Sequence, residues 1–452
     1  MGHLVSLSRR TVTGLITASG RQFEDWTADY RLLSRERLEP GAVFDVIRGG
    51  VLRQIGRGAP LVVAMDDTTS RKKGRKIPGA AWRRDPMSPP FRAQFLWGRR
   101  FLQISAILPS EREDAPSRAI PIAFSHAPSP RKPSKKEPEE AWSAYRDACR
   151  AQSLSQQGVR QIAALRARLD GEPGEPRPLW CVADGSYTNK TVLRQLPERT
   201  TLIGRIRADA QLHRLPGPRE EGARGRRPSY GAALPTPEQI RQDPAIPWHT
   251  ARIYAAGKVH PMRYKTVGPV LWRAAGPGVP LRLIVIAPLA YRPSLGSKLL
   301  YRNPAYLVCS DPALTGEQIL QAYVGRWDIE VNFRDEKQLM GFDEAQVRTE
   351  PSARTAPALA VSAYALLLLA ATRAFGINGA PATLPPPKWR QGHPPPRATT
   401  ASLMNQLRHD LWARALGDRN FSHFVTASPP HTKPEKCLPS LPSLLFYAQP
   451  AA

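Results

Sequence analysis

TGEQILQAYVGRWDIEVNFRDEKQLMG, residues 315–341, is the most informative segment of this sequence. Its pattern predicts a single long helix with recognisable ends. Thr315 can cap the N-terminus while Gln318 reaches back to complete a capping box. Gly341 supplies a residue that readily adopts the left-handed conformation at a helix end. The segment is therefore predicted to be one continuous element.

Four side chains of this predicted helix project from one stripe. They are Tyr323, Arg326, Glu330 and Lys337. At about 100° per residue their positions fall within an arc of roughly 60°. An alternative interpretation is a solvated face on which Arg326 and Glu330 form an ordinary i,i+4 pair, because charged helix faces are common. The sequence upstream of the helix bears on this choice.

The composition indicates a basic protein with a polyanionic partner. The 452 residues include 65 Lys and Arg against 38 Asp and Glu, which gives a formal net charge of +27. Such an excess favours nucleic acid, with an anionic membrane as the second candidate. A chain of this length is expected to form two or three domains.

Two further features indicate a cytoplasmic protein. The four cysteines are scattered and form no Cys-x-x-Cys pair, which argues against a zinc module or a disulfide framework. The N-terminal segment lacks the apolar core of a signal peptide, so export is not expected. The most apolar run, residues 356–372, is slightly short for a membrane span and predicts a buried helix. No membrane association is therefore predicted.

The pattern of apolar runs predicts an α/β fold. Residues 61–65 and 179–183 are continuous apolar runs, which is typical of strands buried on both faces of a sheet. Further strands are predicted at 95–108, 119–124 and 201–206, and a long helix at 139–169. A mixed sheet flanked by helices is the architecture that this order favours.

Acidic residues follow both buried runs. Asp66 and Asp67 follow the first, and Asp184 follows the second. Burying a carboxylate is costly unless it is paired or bound to a metal, and ligands usually bind at this edge of an α/β sheet. The alternative interpretations are an Asx-turn at Asp66 and Asp67 and a turn or helix cap at Asp184.

Together with Glu330, these aspartates can form an all-oxygen cluster. Oxygen ligands of this kind suit magnesium or manganese. Two such ions about 4 Å apart activate a water on one side of a phosphodiester and stabilise the leaving oxygen on the other. The pattern therefore favours phosphoryl-transfer chemistry on a nucleic acid.

In these features the chain resembles the DDE transposases of bacterial insertion sequences, in the family with a Y-R-E-K signature. That signature is Y-x2-R-x3-E-x6-K, and Tyr323, Arg326, Glu330 and Lys337 match every spacing. The family's first aspartate precedes a Thr-Thr pair or a similar polar pair, and its second lies at the end of a strand. Asp67 and Asp184 match these two positions.

The resemblance implies a role for each matched residue. Asp67, Asp184 and Glu330 would bind two Mg²⁺ or Mn²⁺ ions, and Tyr323, Arg326 and Lys337 would contact the DNA backbone at the transposon end. Adjacent strand residues point to opposite faces, so only one of Asp66 and Asp67 is expected in the site. The Thr-Thr context favours Asp67.

The resemblance also implies a fold and an activity. The fold would be ribonuclease-H-like, with a β-rich insertion between the second aspartate and the glutamate. The protein would hydrolyse phosphodiesters at the terminal inverted repeats and then transfer the strand to target DNA, as a homodimer on double-stranded DNA in the bacterial nucleoid. The alternatives are a non-catalytic DNA-binding protein derived from a transposase, and a metal-dependent endonuclease without strand transfer.

Five regions are predicted along the chain. The N-terminal region is helical and is interpreted either as a DNA-binding module or as a plain packing domain. A catalytic core follows in two parts, separated by the insertion, and the C-terminal region is rich in proline. These regions are 1–58 (helical), 59–208 (first part of the core), 209–310 (β-rich insertion), 311–378 (second part of the core) and 379–452 (proline-rich).

Overall fold

The structure is a computed structural model of the chain. It describes residues 1–85, 88–89, 91–174, 176–218, 226–255, 257–292, 296–380, 388, 392 and 395–417, with side chains up to residue 411. Most of the predicted proline-rich region 379–452 therefore lies outside the described residues. The division into five regions stays a prediction.

The strands of the described chain form one large sheet and a small two-stranded ribbon. They are β1 (Leu61–Arg71), β2 (Ala81–Arg84), β3 (Phe95–Leu108), β4 (Arg118–His126), β5 (Leu179–Ala183), β6 (Thr200–Ile206), β7 (Leu212–His213), β8 (Ala233–Leu234), β9 (His249–Ala255), β10 (Lys258–Trp272), β11 (Leu281–Ile286), β12 (Ala290–Tyr291), β13 (Leu300–Tyr301) and β14 (Ala305–Cys309).

Helices precede the sheet, alternate with its strands and follow it. They are α1 (Gly2–Val5), α2 (Val12–Ala18), α3 (Thr27–Ser34), α4 (Pro40–Leu52), α5 (Glu139–Ala151), α6 (Leu154–Asp170), α7 (Lys190–Leu193), α8 (Pro237–Gln242), α9 (Gly316–Gly325), α10 (Trp327–Gln338), α11 (Glu350–Phe375) and α12 (Thr400–Gly417). The first four lie within residues 2–52, before the first strand.

The sheet topology confirms the predicted fold class. Strands β1, β3 and β4 form an antiparallel meander, and β5 and β6 continue the sheet parallel to β1. The resulting order β4-β3-β1-β5-β6 places the first strand at the centre, which is the ribonuclease-H-like arrangement. Apolar residues fill the centre of the sheet, and Leu61, Met65, Leu179 and Ala183 are completely buried.

Different helices cover the two faces of β1. On one face Ala64 packs with Ile329 and Phe333 of α10. On the other face Met65 lies against Gly158 of α6, where a Cβ atom would come within 3.3 Å of the methionine methyl group. Because successive strand residues alternate between faces, the next two residues of β1 also point to opposite sides.

In the β-rich segment of residues 209–310, most of the described strands belong to the main sheet, whereas β12 and β13 form the separate ribbon. The sequence predicted this segment as an insertion separate from the alternating frame. In the structure β14 pairs antiparallel with β6, β11 pairs with β14, and β10 pairs with β11. β14 thereby covers the edge of β6. This pairing satisfies the hydrogen-bonding backbone groups that a free edge would leave exposed.

Two helices that the sequence predicts as continuous are interrupted. The segment 315–341 is divided into α9 and α10 at Arg326, directly after Gly325, and glycine is a poor helix former. The predicted ends are confirmed, because Thr315 and Gln318 form the capping box and Gly341 has a φ of 64°. The predicted helix 139–169 is likewise divided into α5 and α6, with Ser153 capping α6.

The predicted buried helix at residues 356–372 lies within α11. Among the described residues, α11 is the one helix with the length and hydropathy that a membrane span requires. Core helices of soluble proteins can meet the same criterion, and 61% of its most apolar window is buried in the structure. Val361, Tyr364 and Ala365 belong to the same hydrophobic core as β1 and β5.

A buried carboxyl group connects α10 to the sheet. Glu336 is almost fully buried and accepts a hydrogen bond of 3.0 Å from Nε2 of Gln103 on β3. Burial raises the pKa of this carboxyl group from 4.5 to about 8, and Asp335 adds to the effect. Between about pH 4.5 and 8 the folded chain keeps this proton and the unfolded chain loses it. The free energy of unfolding therefore falls as the pH rises through this range.

We expect Glu336→Gln to remove this pH dependence. The variant should gain stability relative to the wild type as the pH rises from 5 to 7.5, by at most about 1.4 kcal/mol per pH unit. Urea unfolding at the two pH values measures the difference. Glu113→Gln, at an exposed carboxyl group, is the control. A gain in stability from Glu336→Gln that is the same at both pH values would contradict a raised pKa of Glu336.

Candidate active site

The two predicted acidic positions lie side by side in the sheet. Strand β1 runs parallel to β5 with Met65 opposite Ala183, so that Asp66 and Asp184 follow at neighbouring positions. Strand β1 continues without interruption to Arg71 and pairs with β3 from Val63 onward. The interpretation of Asp66 and Asp67 as an Asx-turn is therefore wrong.

Asp66 lies on the face of the sheet that α9 and α10 cover. It has the same orientation as Ala64, which contacts α10, and Asp184 has the same orientation as Val182, which packs with residues of α9. Glu330 belongs to α10 and remains partly accessible, with a side-chain exposure of 42%. The three carboxylates Asp66, Asp184 and Glu330 therefore share one face.

Arg326 bridges two of these carboxylates. Its Nη1 atom lies 3.1 Å from Oδ2 of Asp66 and 3.7 Å from Oε1 of Glu330. Arg326 lies between α9 and α10, where the helical segment is interrupted, and its guanidinium reaches Asp66 on the sheet. The predicted i,i+4 pair of Arg326 and Glu330 is present, but it belongs to a larger cluster and not to a solvated face.

Asp67 has different partners on the opposite face. Its Oδ2 atom lies 3.2 Å from Nε of Arg100, and its Oδ1 accepts a hydrogen bond of 3.1 Å from the hydroxyl of Tyr187. The structure thus places Asp66, and not Asp67, beside Arg326 and Glu330. The Thr-Thr context that favoured Asp67 carries no information about which face α10 covers.

Asp184 also organises the turn that follows β5. Its Oδ1 accepts a hydrogen bond of 2.8 Å from the backbone amide of Ser186, and its backbone oxygen accepts one from Thr188. The turn interpretation of Asp184 is therefore confirmed. It does not exclude a metal, because a carboxylate has about four lone pairs, and the amide and hydroxyl of Ser186 use two of them.

Burial and a neighbouring negative charge raise the pKa of Asp66. Burial is the largest cause and the nearby Asp184 the next, and together they raise the pKa to about 7 although Arg326 acts in the opposite direction. Burial also raises the pKa of Asp67, where Arg100 is the main opposing charge. A cation that binds between Asp66 and Asp184 would relieve their repulsion.

The remaining residues of the predicted stripe are only partly brought together. The guanidinium carbon of Arg326 lies 5.8 Å from the centroid of the Tyr323 ring, which is half-buried. Lys337 is exposed near the end of α10 and forms no hydrogen bond or ion pair with the residues that the structure describes. Both residues belong to the helices that cover the carboxylate face of the sheet, and their common role stays a prediction.

Sequence reasoning missed the partners of Asp67. Tyr187 follows the Asp184 turn and is completely buried against the core. Arg100 is one of two adjacent arginines within β3, and these charges in a strand were the available signal. A charged residue within a buried strand is expected to have a partner of opposite charge.

The three carboxylates fit a hard divalent cation by their chemistry. Carboxylate oxygens are the ligands that Mg²⁺ and Mn²⁺ prefer. No three acidic, histidine or cysteine side chains in the described ranges are grouped closely enough to hold an ion as they stand. Arg326 takes the position between Asp66 and Glu330, where its positive charge neutralises part of the cluster.

Comparison with known families agrees with this fold. The family described as DDE superfamily endonuclease matches residues 1–274, which is more than half of the chain. The chain belongs to this family. The match includes Asp66 and Asp184 and ends before the helix that carries Glu330. A comparison with curated proteins finds no match.

Proposed function

We propose that the protein is a metal-dependent DNA transposase of the DDE type. One observation carries the proposal: Asp66 and Asp184, on neighbouring parallel strands, share a face with Glu330 of α10, and Arg326 connects Asp66 to Glu330. The family supports a nuclease that acts on DNA. Strand transfer, the Y-R-E-K signature and the origin in a bacterial insertion sequence belong to the proposal.

The proposed metal ligands are Asp66, Asp184 and Glu330, with Asp66 in place of the Asp67 that the sequence favoured. Nucleases of this superfamily generally use divalent metals, and two Mg²⁺ or Mn²⁺ ions here would supply the positive charge that activates water and stabilises the leaving oxygen. The side chain of Asp184 is anchored by Ser186, so that it is held in place before an ion binds. Asp67 holds Tyr187 and Arg100 beneath the strand, which makes it a positioning residue.

Arg326, Tyr323 and Lys337 are proposed to contact the DNA backbone. Once Asp66 and Glu330 hold an ion, the Arg326 guanidinium can pair with a phosphate oxygen next to the cleaved bond. The net charge of +27 favours a long duplex as the partner. Two transposon ends have to be held together for transfer, so we propose a homodimer on DNA, in the cytoplasm.

The experiment that tests the proposal is cleavage of a labelled duplex that carries the ends of the element encoding this chain. We expect magnesium-dependent nicking that exposes a 3′-hydroxyl at the end, and joining of that hydroxyl to a target duplex. EDTA and Glu330→Gln should each abolish nicking, because the first removes the ions and the second removes a charged ligand.

Two other outcomes would contradict parts of the proposal. Tight binding of the ends without cleavage in either metal would indicate the non-catalytic DNA-binding protein. Nicking without any joined product would indicate an endonuclease without strand transfer. Retention of cleavage by Glu330→Gln would remove Glu330 from the metal site.

A further inference from the structure

A polar cavity of about 250 Å³ lies on the opposite side of the sheet from the carboxylates. Its walls are the sheet residues Arg83 and Arg100, the loop 127–130, and the junction between α5 and α6. One water molecule takes about 30 Å³ in the liquid, so the cavity has room for a group much larger than water. Arg100, which pairs with Asp67, thus forms part of the cavity wall.

The cavity contains more positive charge than its walls neutralise. Arg83 is only 7% exposed and forms no ion pair with any described residue, and its Nε has no hydrogen-bond partner there. Its one hydrogen bond within the described part of the chain is a long contact of 3.4 Å to the backbone oxygen of Ala127. Burial is the main cause that lowers the pKa of Arg83 to about 10, the nearby Arg100 adds to the effect, and Asp67 is the carboxylate that opposes them. The buried guanidinium of Arg83 and the partly exposed guanidinium of Arg100 thus share one carboxylate.

The N-terminus of α6 adds to this positive potential. Ser153, Leu154 and Gln157, from the cap and first turn of this 17-residue helix, also line the cavity. A helix N-terminus carries a partial positive charge and free backbone amides, which favour an anion. The two arginines and α6 come from distant parts of the chain. The arginines are therefore evidence for an anion site that does not depend on the N-terminus of α6.

We propose that this cavity binds a phosphate group of the DNA strand at a position away from the cleaved bond. The buried, unpaired Arg83 and the bidentate geometry of guanidinium groups suit a phosphodiester. The cavity and the carboxylate cluster lie on opposite faces of β1, at the adjacent residues Asp67 and Asp66. A strand that passes over this edge of the sheet can contact both. The inference rests on the proposed function for the identity of the anion.

The first test measures the salt dependence of binding to a 30-base-pair duplex in EDTA, so that no cleavage occurs. Each neutralised phosphate contributes about 0.9 to the slope of log K against log salt. We expect Arg83→Gln to reduce the slope by about this amount and to weaken binding. The matched control is Arg84→Gln, since Arg84 is the exposed neighbour on the same strand. It should change the slope by less than half as much.

The second test uses the wild-type chain and does not depend on how the variants fold. Cys149 is half-buried in the cavity wall, whereas Cys181 and Cys309 are buried in the core. We expect the duplex to slow alkylation of Cys149 several-fold, as measured by peptide mass spectrometry. Arg84→Gln should preserve this protection and Arg83→Gln should lose it. Inorganic phosphate and thymidine monophosphate are the competing probes.

The outcomes separate this inference from the proposed function. If the duplex binds while the slope and the alkylation of Cys149 stay unchanged, the cavity is not a DNA phosphate site and the proposed function is unaffected. If inorganic phosphate protects Cys149 and the duplex does not, the anion is not part of a strand. If the wild-type chain binds no DNA at all, the proposed function and this inference are both refuted.

Discussion

Asp66→Asn is expected to lower metal-dependent DNA cleavage by about a thousandfold or more, whereas Asp67→Asn should lower it by only about tenfold. The charged ligand of a catalytic ion contributes several kcal/mol to transition-state stabilisation, and about 1.4 kcal/mol corresponds to a factor of ten. Asp66 shares its face with Asp184 and Glu330. Asp67 contacts Tyr187 and Arg100 and acts by orienting them. Substitution of such a positioning residue usually lowers activity by about 10–100-fold.

Two measurements distinguish the adjacent aspartates. Cleavage rates in saturating magnesium give the effect on the reaction. Calorimetric titration with manganese, in the absence of DNA, gives the effect on ion binding and should show a large loss only for Asp66→Asn. Thermal unfolding of both variants verifies that they are folded. Full loss with Asp67→Asn and near-normal rates with Asp66→Asn would restore the assignment that the Thr-Thr context favoured.

Asp343→Asn is expected to destabilise the protein by about 3–5 kcal/mol, which is typical when one member of a buried ion pair is removed. Asp343 and Arg99 form a salt bridge in which both side chains are completely buried. Lys72 Nζ lies 2.9 Å from the same carboxylate. Arg99 also donates to the backbone oxygen of Ala353 at the start of α11. Without the carboxylate, the buried Arg99 and the partly buried Lys72 would face each other as uncompensated cations.

Asparagine is the appropriate replacement at position 343. The residue has a φ of 59°, a left-handed conformation that asparagine tolerates well, so the substitution changes the charge with little backbone strain. Urea unfolding at neutral pH measures the loss. The control is Asp114→Asn, because the Arg112–Asp114 pair is exposed and such pairs contribute only about 0–1 kcal/mol. A change below about 1 kcal/mol for Asp343→Asn would contradict the expected role.

The same ion pair has a consequence for the active site. Asp343 lies five residues beyond the end of α10, and its partners Lys72 and Arg99 lie just after β1 and within β3. The pair therefore fixes the C-terminal end of the helix that carries Glu330 to the strands beside Asp66. We expect the destabilised variant to lose cleavage activity at temperatures where the wild type remains active.

Local patterns in the sequence determined much of this structure. Apolar runs located the central strands β1 and β5, because strands buried on both faces need apolar side chains throughout. Thr315 and Gln318 determined the start of α9, and Gly341 the left-handed residue after α10, because caps and glycine act through neighbouring backbone groups. The convergence of acidic residues at one edge of a parallel pair of strands followed from the strand positions alone.

The tertiary structure decided which aspartate lies beside Glu330. Strand alternation requires Asp66 and Asp67 to point in opposite directions, but only the packing of α10 on Ala64 selects between the faces. The tertiary structure also decided the pairing of β14 with β6. It likewise formed the polar cavity beside Arg83 and Arg100, whose walls come from separate parts of the chain. These features depend on contacts between residues distant in sequence, and no local pattern specifies such contacts.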